Sequence, residues 1–391
     1  MAVTRFLVLC CWLSLSLTLL AQKSFATFDT TAIEIDFLSS YYAQDGEHSP
    51  VTGGSGTEEL STVDNRIIVS FATDSLHKVR ATQKVNSISS ASTDRIDGVS
   101  SASKHDAHLS FAVSFSEIIP KRHLISTWNG SFSAESDYAS KGIGYGLQKV
   151  SKNANHRIGL NANAYFDDWV MIFPEELRDE TPSFPSKDFR NSYSLVLHGN
   201  NVVNKRTLFY WNIGATFQHG LLSTPFHRVY FADTTGSGLE ALPYQRFKTP
   251  VSFGTNLFLF HFLVLKPSYR FYTDNFGVLS HTLSMKAVIK LSPYVNLKGA
   301  LRFADQKGSR YFDAYAQHSI EDVYRTSDYD LSTFSSQYYN MGISYAPLKG
   351  IMAIRRFSID LLEFRYTNYK RSDGLISNMF SFYVKSSLKK R

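Results

Sequence analysis

From residue 32 onward the chain is built of short segments in which apolar and polar residues alternate one by one. Side chains on a β-strand point to opposite faces in turn, so each such segment has one apolar and one polar face. Between His108 and Phe115 the apolar face carries Leu109, Phe111, Val113 and Phe115, and the other carries His108, Ser110, Ala112 and Ser114. The same division runs through Thr207 to Gln218, with Phe209, Trp211, Ile213, Ala215 and Phe217 on the apolar side, and through Val295 to Phe303. The pattern predicts sixteen strands, near 32–43, 64–73, 77–89, 105–116, 124–136, 139–150, 156–167, 190–201, 207–219, 245–260, 262–274, 278–290, 293–305, 335–346, 357–370 and 375–387.

The links between these strands are sorted by length. The five longest, 44–63, 90–104, 168–189, 220–244 and 306–334, all follow odd-numbered strands. Long and short links alternate in this way in a transmembrane barrel whose long loops face outward and whose short turns share the other end with both termini. The expected fold is therefore all-β, a transmembrane antiparallel up-and-down β-barrel of about 16 strands occupying 27–391. A soluble β-sandwich also alternates, but its loops need not be sorted by side. Two places strain the count: the link at His261-Phe262 is more apolar than a tight turn should be, and the phase slips between Leu361 and Leu362. A β-bulge, or a count of fourteen, would accommodate either.

Residues 1–26 read as a secretory signal peptide, with Arg5, an apolar run from Phe6 to Leu20, and Ser24-Phe25-Ala26 before the expected cleavage point. Both cysteines, Cys10 and Cys11, lie inside it, so the exported part has no disulfide, thiolate metal site or thiol nucleophile. Beyond residue 26 no apolar run is long enough for a membrane-spanning helix; the longest, Leu257 to Leu265, is interrupted by His261. The formal net charge of +7 falls by the charges of Arg5 and Lys23 to +5 on export. That mild surplus, with no basic helix or finger motif, excludes nucleic acid as the expected partner. Tyr and Phe recur near strand ends, as at Tyr41-Tyr42, Tyr269 to Tyr272 and Tyr366 to Tyr369, where interfacial girdles are built.

The candidate chemistry lies on the inner face. In the phase above, Arg66, Lys78, Arg80, Lys84, Lys286, Lys298, Arg302 and Lys385 point inward, and Glu34 and Asp36 are the clearest inward acids. Sixteen strands leave a lumen wide enough for water, and a basic lumen concentrates anions. The competing reading pairs these bases with loop carboxylates such as Glu175, Glu176, Asp328 and Asp330. Within loop 220–244, Thr224, Phe226, His227 and Arg228 mix aromatic and polar groups suited to ligand contact, and this loop or 306–334 could fold inward as a plug.

No catalytic residue is expected. His108 and Ser110 share one face two residues apart, close enough for a histidine to activate a hydroxyl, but it is the polar face, not the lipid side where an acyl ester would lie. No metal site and no cofactor are expected either: His105 and His108 fall on opposite faces, and the Asp-rich stretches at 167–168 and 328–330 lack the ligand spacing of a known calcium loop.

Several separated segments carry a family likeness: Thr52-Gly53-Gly54-Ser55-Gly56-Thr57-Glu58-Glu59-Leu60, Ser89 to Asp94, Gly220 to Phe231, Tyr269-Arg270-Phe271-Tyr272, Ser327 to Ser332 and Arg371-Ser372-Asp373-Gly374-Leu375. Through them the chain, from about residue 30 to its end, resembles the bacterial domain-of-unknown-function 3570 family. The resemblance implies an outer-membrane barrel and supplies no substrate and no catalytic residues.

The expected function is an outer-membrane pore or channel passing small solutes, with anions favoured, through a mildly basic lumen. The alternative is a non-transporting barrel that serves as a surface receptor or as a scaffold for an envelope complex; an outer-membrane hydrolase ranks last. The expected partners are outer-membrane lipid and lipopolysaccharide, the barrel-assembly machinery and the solutes themselves.

Overall fold

The computed structural model describes residues 27–49, 53–57, 59–89, 105–177 and 186–390. The expected signal segment 1–26 and the link 90–104 lie outside them. Among the described residues the strands are β1 (Ala32–Asp45), β2 (Leu60–Ala72), β3 (His77–Ser89), β4 (His105–Ile119), β5 (Leu124–Ala134), β6 (Tyr138–Val150), β7 (His156–Met171), β8 (Ser186–Asn204), β9 (Thr207–Gly220), β10 (Arg228–Tyr230), β11 (Ser237–Leu239), β12 (Gln245–Leu259), β13 (Leu263–Asp274), β14 (Leu279–Lys290), β15 (Val295–Lys307), β16 (Phe334–Tyr345), β17 (Met352–Ile354), β18 (Phe357–Arg371) and β19 (Ile376–Lys389). Three of these are short additions to the links; the other sixteen form the wall and coincide with the sixteen segments the alternation predicts.

Each wall strand pairs antiparallel with the next, and β19 closes the ring on β1 from Ala32↔Lys389 to Asp45↔Ile376. Closure removes every free strand edge, which is the condition for a sheet to cross lipid.

Both weak points of the sequence pattern resolve as local devices that keep the count at sixteen. Between β12 and β13 the turn is Phe260-His261-Phe262, with Phe260 in the left-handed region at φ +57° and Leu259 paired to Leu263. Its two phenylalanine rings stack at 5.7 Å, which shields part of an otherwise exposed apolar turn. In β18 the register against β19 shifts between Ile359 and Leu361, a bulge at Asp360 that returns the apolar residues to their face. The expected link 168–189 is shorter than the pattern suggests. Strands β7 and β8 continue to the pair Met171↔Ser186, held by Tyr138 against Trp169 and by an Arg190–Asp167 ion pair at 2.9 Å.

The alternation sorts the wall by solvent contact. One face holds large exposed apolar groups such as Phe111, Ile143 and Leu283, each 50% exposed or more. Left in water, each such side chain would forgo about 1.5–3 kcal/mol of burial, so this face is built for lipid. The opposite, inner face carries Ser70, Ser140, Thr367 and Ser381. Several of the most deeply buried side chains lie outside the wall: Val229, His227, His318 and Thr326 in the long links, and Phe276 in the short link between β13 and β14.

Candidate functional site

Antiparallel pairing fixes the inner phase strand by strand. Glu34 and Asp36 share the inner face of β1 and Arg66 that of β2; Lys78, Arg80 and Lys84 occupy the inner face of β3, Lys286 of β14, Lys298 and Arg302 of β15, and Lys385 of β19. Many of these bases have carboxylate partners on neighbouring strands. Glu34 accepts from Lys385 at 2.9 Å and lies 3.4 Å from Lys78, Asp64 lies 3.3 Å from Lys84 and 4.0 Å from Arg66, and Glu363 accepts from Lys298 at 2.6 Å and also meets Arg365. Asp36 accepts from the Tyr383 hydroxyl at 2.7 Å.

The counter-charges are thus wall acids rather than loop acids. Asp64 and Glu363 were missed in the sequence reading, although Asp64 has the same parity as Arg66 and the bulge at Asp360 puts Glu363 in the inner phase. Arg80, Lys286 and Arg302 have no carboxylate within 4.0 Å among the described residues, and neither does Arg270 on the inner face of β13, which parity alone would have shown. All four are exposed on the inner side.

Arg270 and Arg302 line one recess of about 400 Å³ with Ser252, Ser268, Ser280, Thr282, Ser284 and Ser336, and with Tyr210 and Tyr369 at its sides. The Arg302 guanidinium lies over Tyr338 at 4.7 Å, and over Tyr369 at 5.8 Å. Two cations among hydroxyl donors and aromatic faces make a surface that accepts anionic or polyhydroxylated groups.

Above this recess the long links fold together into a cap. In the link between β9 and β12, the hairpin of β10 and β11 lies against the link between β15 and β16 through Phe231↔His318 and Ala241↔Arg325. Glu240 joins the two: it accepts from the Thr224 amide at 2.5 Å and from the Thr326 hydroxyl. Gln306 donates to the carbonyls of Asp330 and Ser332, both at 2.9 Å, tying the cap to the wall. Burial, with Asp330 and Glu240 nearby, pushes the Asp328 carboxyl up to about 8. Burial likewise pushes the His48 imidazole down where it stacks on Tyr329 at 3.6 Å.

The expected ligand-contacting residues of loop 220–244 divide. His227 and Arg228 are buried, and Arg228 grips Glu176 through two hydrogen bonds of 2.5 and 3.0 Å, so both serve inside the cap. Thr224 and Phe226 are half-buried.

His108 and Ser110 share the inner face of β4 without a hydrogen bond between them among the described residues; the His108 ring faces Glu135 at 3.9 Å. Burial raises the carboxyls of Glu135 and Asp137 in the short link beside it. Among the described residues, two groups bring metal-ligating atoms within 4.8 Å of one another: Asp106 with Glu135 and Asp137, and Asp313 with His318 and Asp322. The Asp-rich stretches behave as ion-pair partners, Asp167 with Arg190 and Asp330 with Arg371.

The wall resembles solved outer-membrane barrels. A bacterial polysaccharide outer membrane secretin superposes with a TM-score of 0.50 at 9% identity, covering 93% of this chain and 100% of that one. OccK1 (OpdK) of Pseudomonas aeruginosa gives 0.43 at 8% identity over 93% and 100%, and a BenF-like porin from Pseudomonas fluorescens Pf-5 gives 0.44 at 7% over 92% and 99%. At such identities the likeness is one of fold, that of a transmembrane barrel of the bacterial outer membrane. No curated protein matches the sequence. The family model described as "Protein of unknown function (DUF3570)" matches residues 22–358, and the chain belongs to that family.

Proposed function

We propose that the chain is an outer-membrane channel for small solutes, with anions favoured, whose outer mouth is narrowed by the loop cap. The observation that carries this reading is a group of exposed inner-face cations, Arg80, Arg270, Lys286 and Arg302 among them, with no carboxylate within 4.0 Å among the described residues. Paired charges present little net field to a passing ion; these four present a full one, and a low-dielectric wall focuses it. The recess around Arg270 and Arg302 then serves as a resting site between the mouth and the lower lumen.

Single-channel conductance of the refolded protein in a planar bilayer under a salt gradient tests the reading. Steady steps with a reversal potential on the anion side support it. A correctly folded, heat-modifiable barrel that stays electrically silent overturns it. That outcome favours the second reading, a surface receptor or envelope scaffold, for which the interlocked cap speaks. Neither reading includes a catalytic step.

A further inference from the structure

The side chain of His318 is almost wholly buried in the cap, and its two ring nitrogens face different chemistry. Nε2 lies 3.0 Å from the carbonyl oxygen of Thr326. A carbonyl only accepts, so Nε2 carries the proton and, in the neutral ring, Nδ1 presents a lone pair. That lone pair points at two carboxylates, 3.2 Å from Asp322 Oδ2 and 3.7 Å from Asp313 Oδ2. The Ser319 amide also donates to Asp322 Oδ2 at 2.9 Å, and the convergence of Nδ1 with two carboxylates is the arrangement that a proton or a metal ion among them satisfies.

We propose that Asp313, His318 and Asp322 form a binding site for a divalent transition-metal ion of the zinc class. Ligands bound to tetrahedral zinc at about 2.0–2.2 Å stand about 3.3–3.6 Å from one another, and the two separations from Nδ1 bracket that spacing. One imidazole and two carboxylates are a donor set for zinc; calcium takes six to eight oxygens, and magnesium keeps most of its water. Asp313 and Asp322 both reach solvent, which gives the ion an entry path and leaves a fourth position for water. The Nε2–H bond to Thr326 is the outer partner that fixes a metal-bound histidine in its tautomer.

The site also holds elements together. Ala232 donates to the His318 carbonyl at 2.9 Å, and Asp233 accepts from the Ser319 hydroxyl at 3.0 Å. An ion at His318 would therefore staple the link between β15 and β16 in the shape that the link between β9 and β12 packs against. This holds whether or not the barrel conducts.

The test is titration of the refolded full-length barrel, stripped of metal, with Zn²⁺ against a chromophoric chelator. One zinc per chain is expected, with affinity falling more than about tenfold in Asp322→Asn and in Asp313→Asn. The Asp313 side chain is largely exposed, so its variant should fold; heat-modifiable migration confirms this for both. X-ray absorption of the loaded protein should show one imidazole and oxygen ligands near 2.0 Å. No binding, or binding unchanged in both variants, overturns the site.

Discussion

Gly53 and Arg228 touch backbone to backbone although their loops rise from opposite sides of the barrel. Gly53 lies between β1 and β2, and Arg228 lies between β9 and β12; β1 and β9 stand eight strands apart, halfway round a sixteen-strand ring. A Cβ built on Gly53 would fall 1.8 Å from the Arg228 carbonyl oxygen. Such an approach requires the chain to cross the mouth, so these loops close over the lumen instead of standing apart.

Gly53→Ala is expected to loosen that closure. Gly53 has φ +71°, a conformation that costs an alanine about 1 kcal/mol, and the added methyl meets backbone that cannot rotate away. Limited proteolysis within 221–244 should quicken, and channel openings should lengthen, while heat-modifiable migration of the wall stays unchanged. Equal proteolysis and equal openings would show that the two loops do not meet over the pore.

The double variant Arg270→Ala with Arg302→Ala is expected to shift the reversal potential toward the cation side and to lower the anion preference severalfold. Lys298→Met removes one charge too, but from a pair with Glu363, which Arg365 still contacts. Its effect on selectivity should be smaller and its effect on wall stability larger, about 1–3 kcal/mol, because Glu363 is nearly inaccessible to water. Equal shifts from both variants would mean that total lumen charge, rather than the recess, sets the preference.

The wall could be read from the sequence because its two rules are local. A period of two assigns each face, and the alternation of long and short links assigns each end. Even the slip between Leu361 and Leu362 carried the right information, since a bulge is the cheapest way to restore phase. Asp64, Glu363 and Arg270 obeyed the same parity as the residues that were chosen and needed only to be counted. The cap obeys no period. Gly53 meets Arg228, Glu240 meets Thr326 and His318 meets Asp313 through irregular backbone whose partners are distant in sequence or separated by no recognised motif spacing. Loop composition accordingly suggested solvent-facing ligand groups at His227 and Arg228, which folding places inside.

The Arg228–Glu176 pair should respond asymmetrically to truncation. Arg228 is 4% exposed at its side chain, whereas Glu176 is 38% exposed and can be hydrated. Glu176→Ala therefore strands a buried guanidinium and is expected to weaken the cap by about 3 kcal/mol, the lower end for a broken buried pair. Arg228→Ala should weaken it less, and adding Arg228→Ala to Glu176→Ala should recover part of the loss. Hydrogen exchange of the amides around Val229 measures all three; a larger loss for Arg228→Ala than for Glu176→Ala would contradict the burial argument.

The cap should also loosen as pH rises. Asp328 has an ordinary value of 3.8 and is pushed up to about 8 by burial and by Asp330 and Glu240, with the hydrogen bond from the Asp330 amide and, after it, Arg371 opposing. Between those values the closed cap keeps the carboxyl protonated while an opened cap ionises it, so the closed form binds more protons. Its contribution to closure is therefore full below about pH 3.8, declines as pH rises, and is gone above about 8. Exchange of the amides from Ser309 to Thr326 should accelerate, beyond the intrinsic base catalysis of exchange, between pH 5 and about 8. Asp328→Asn should flatten that excess, because an amide stays neutral throughout. A cap whose corrected exchange is the same at both ends of the range, or slows toward pH 8, would mean that Asp328 is ionised in the closed form.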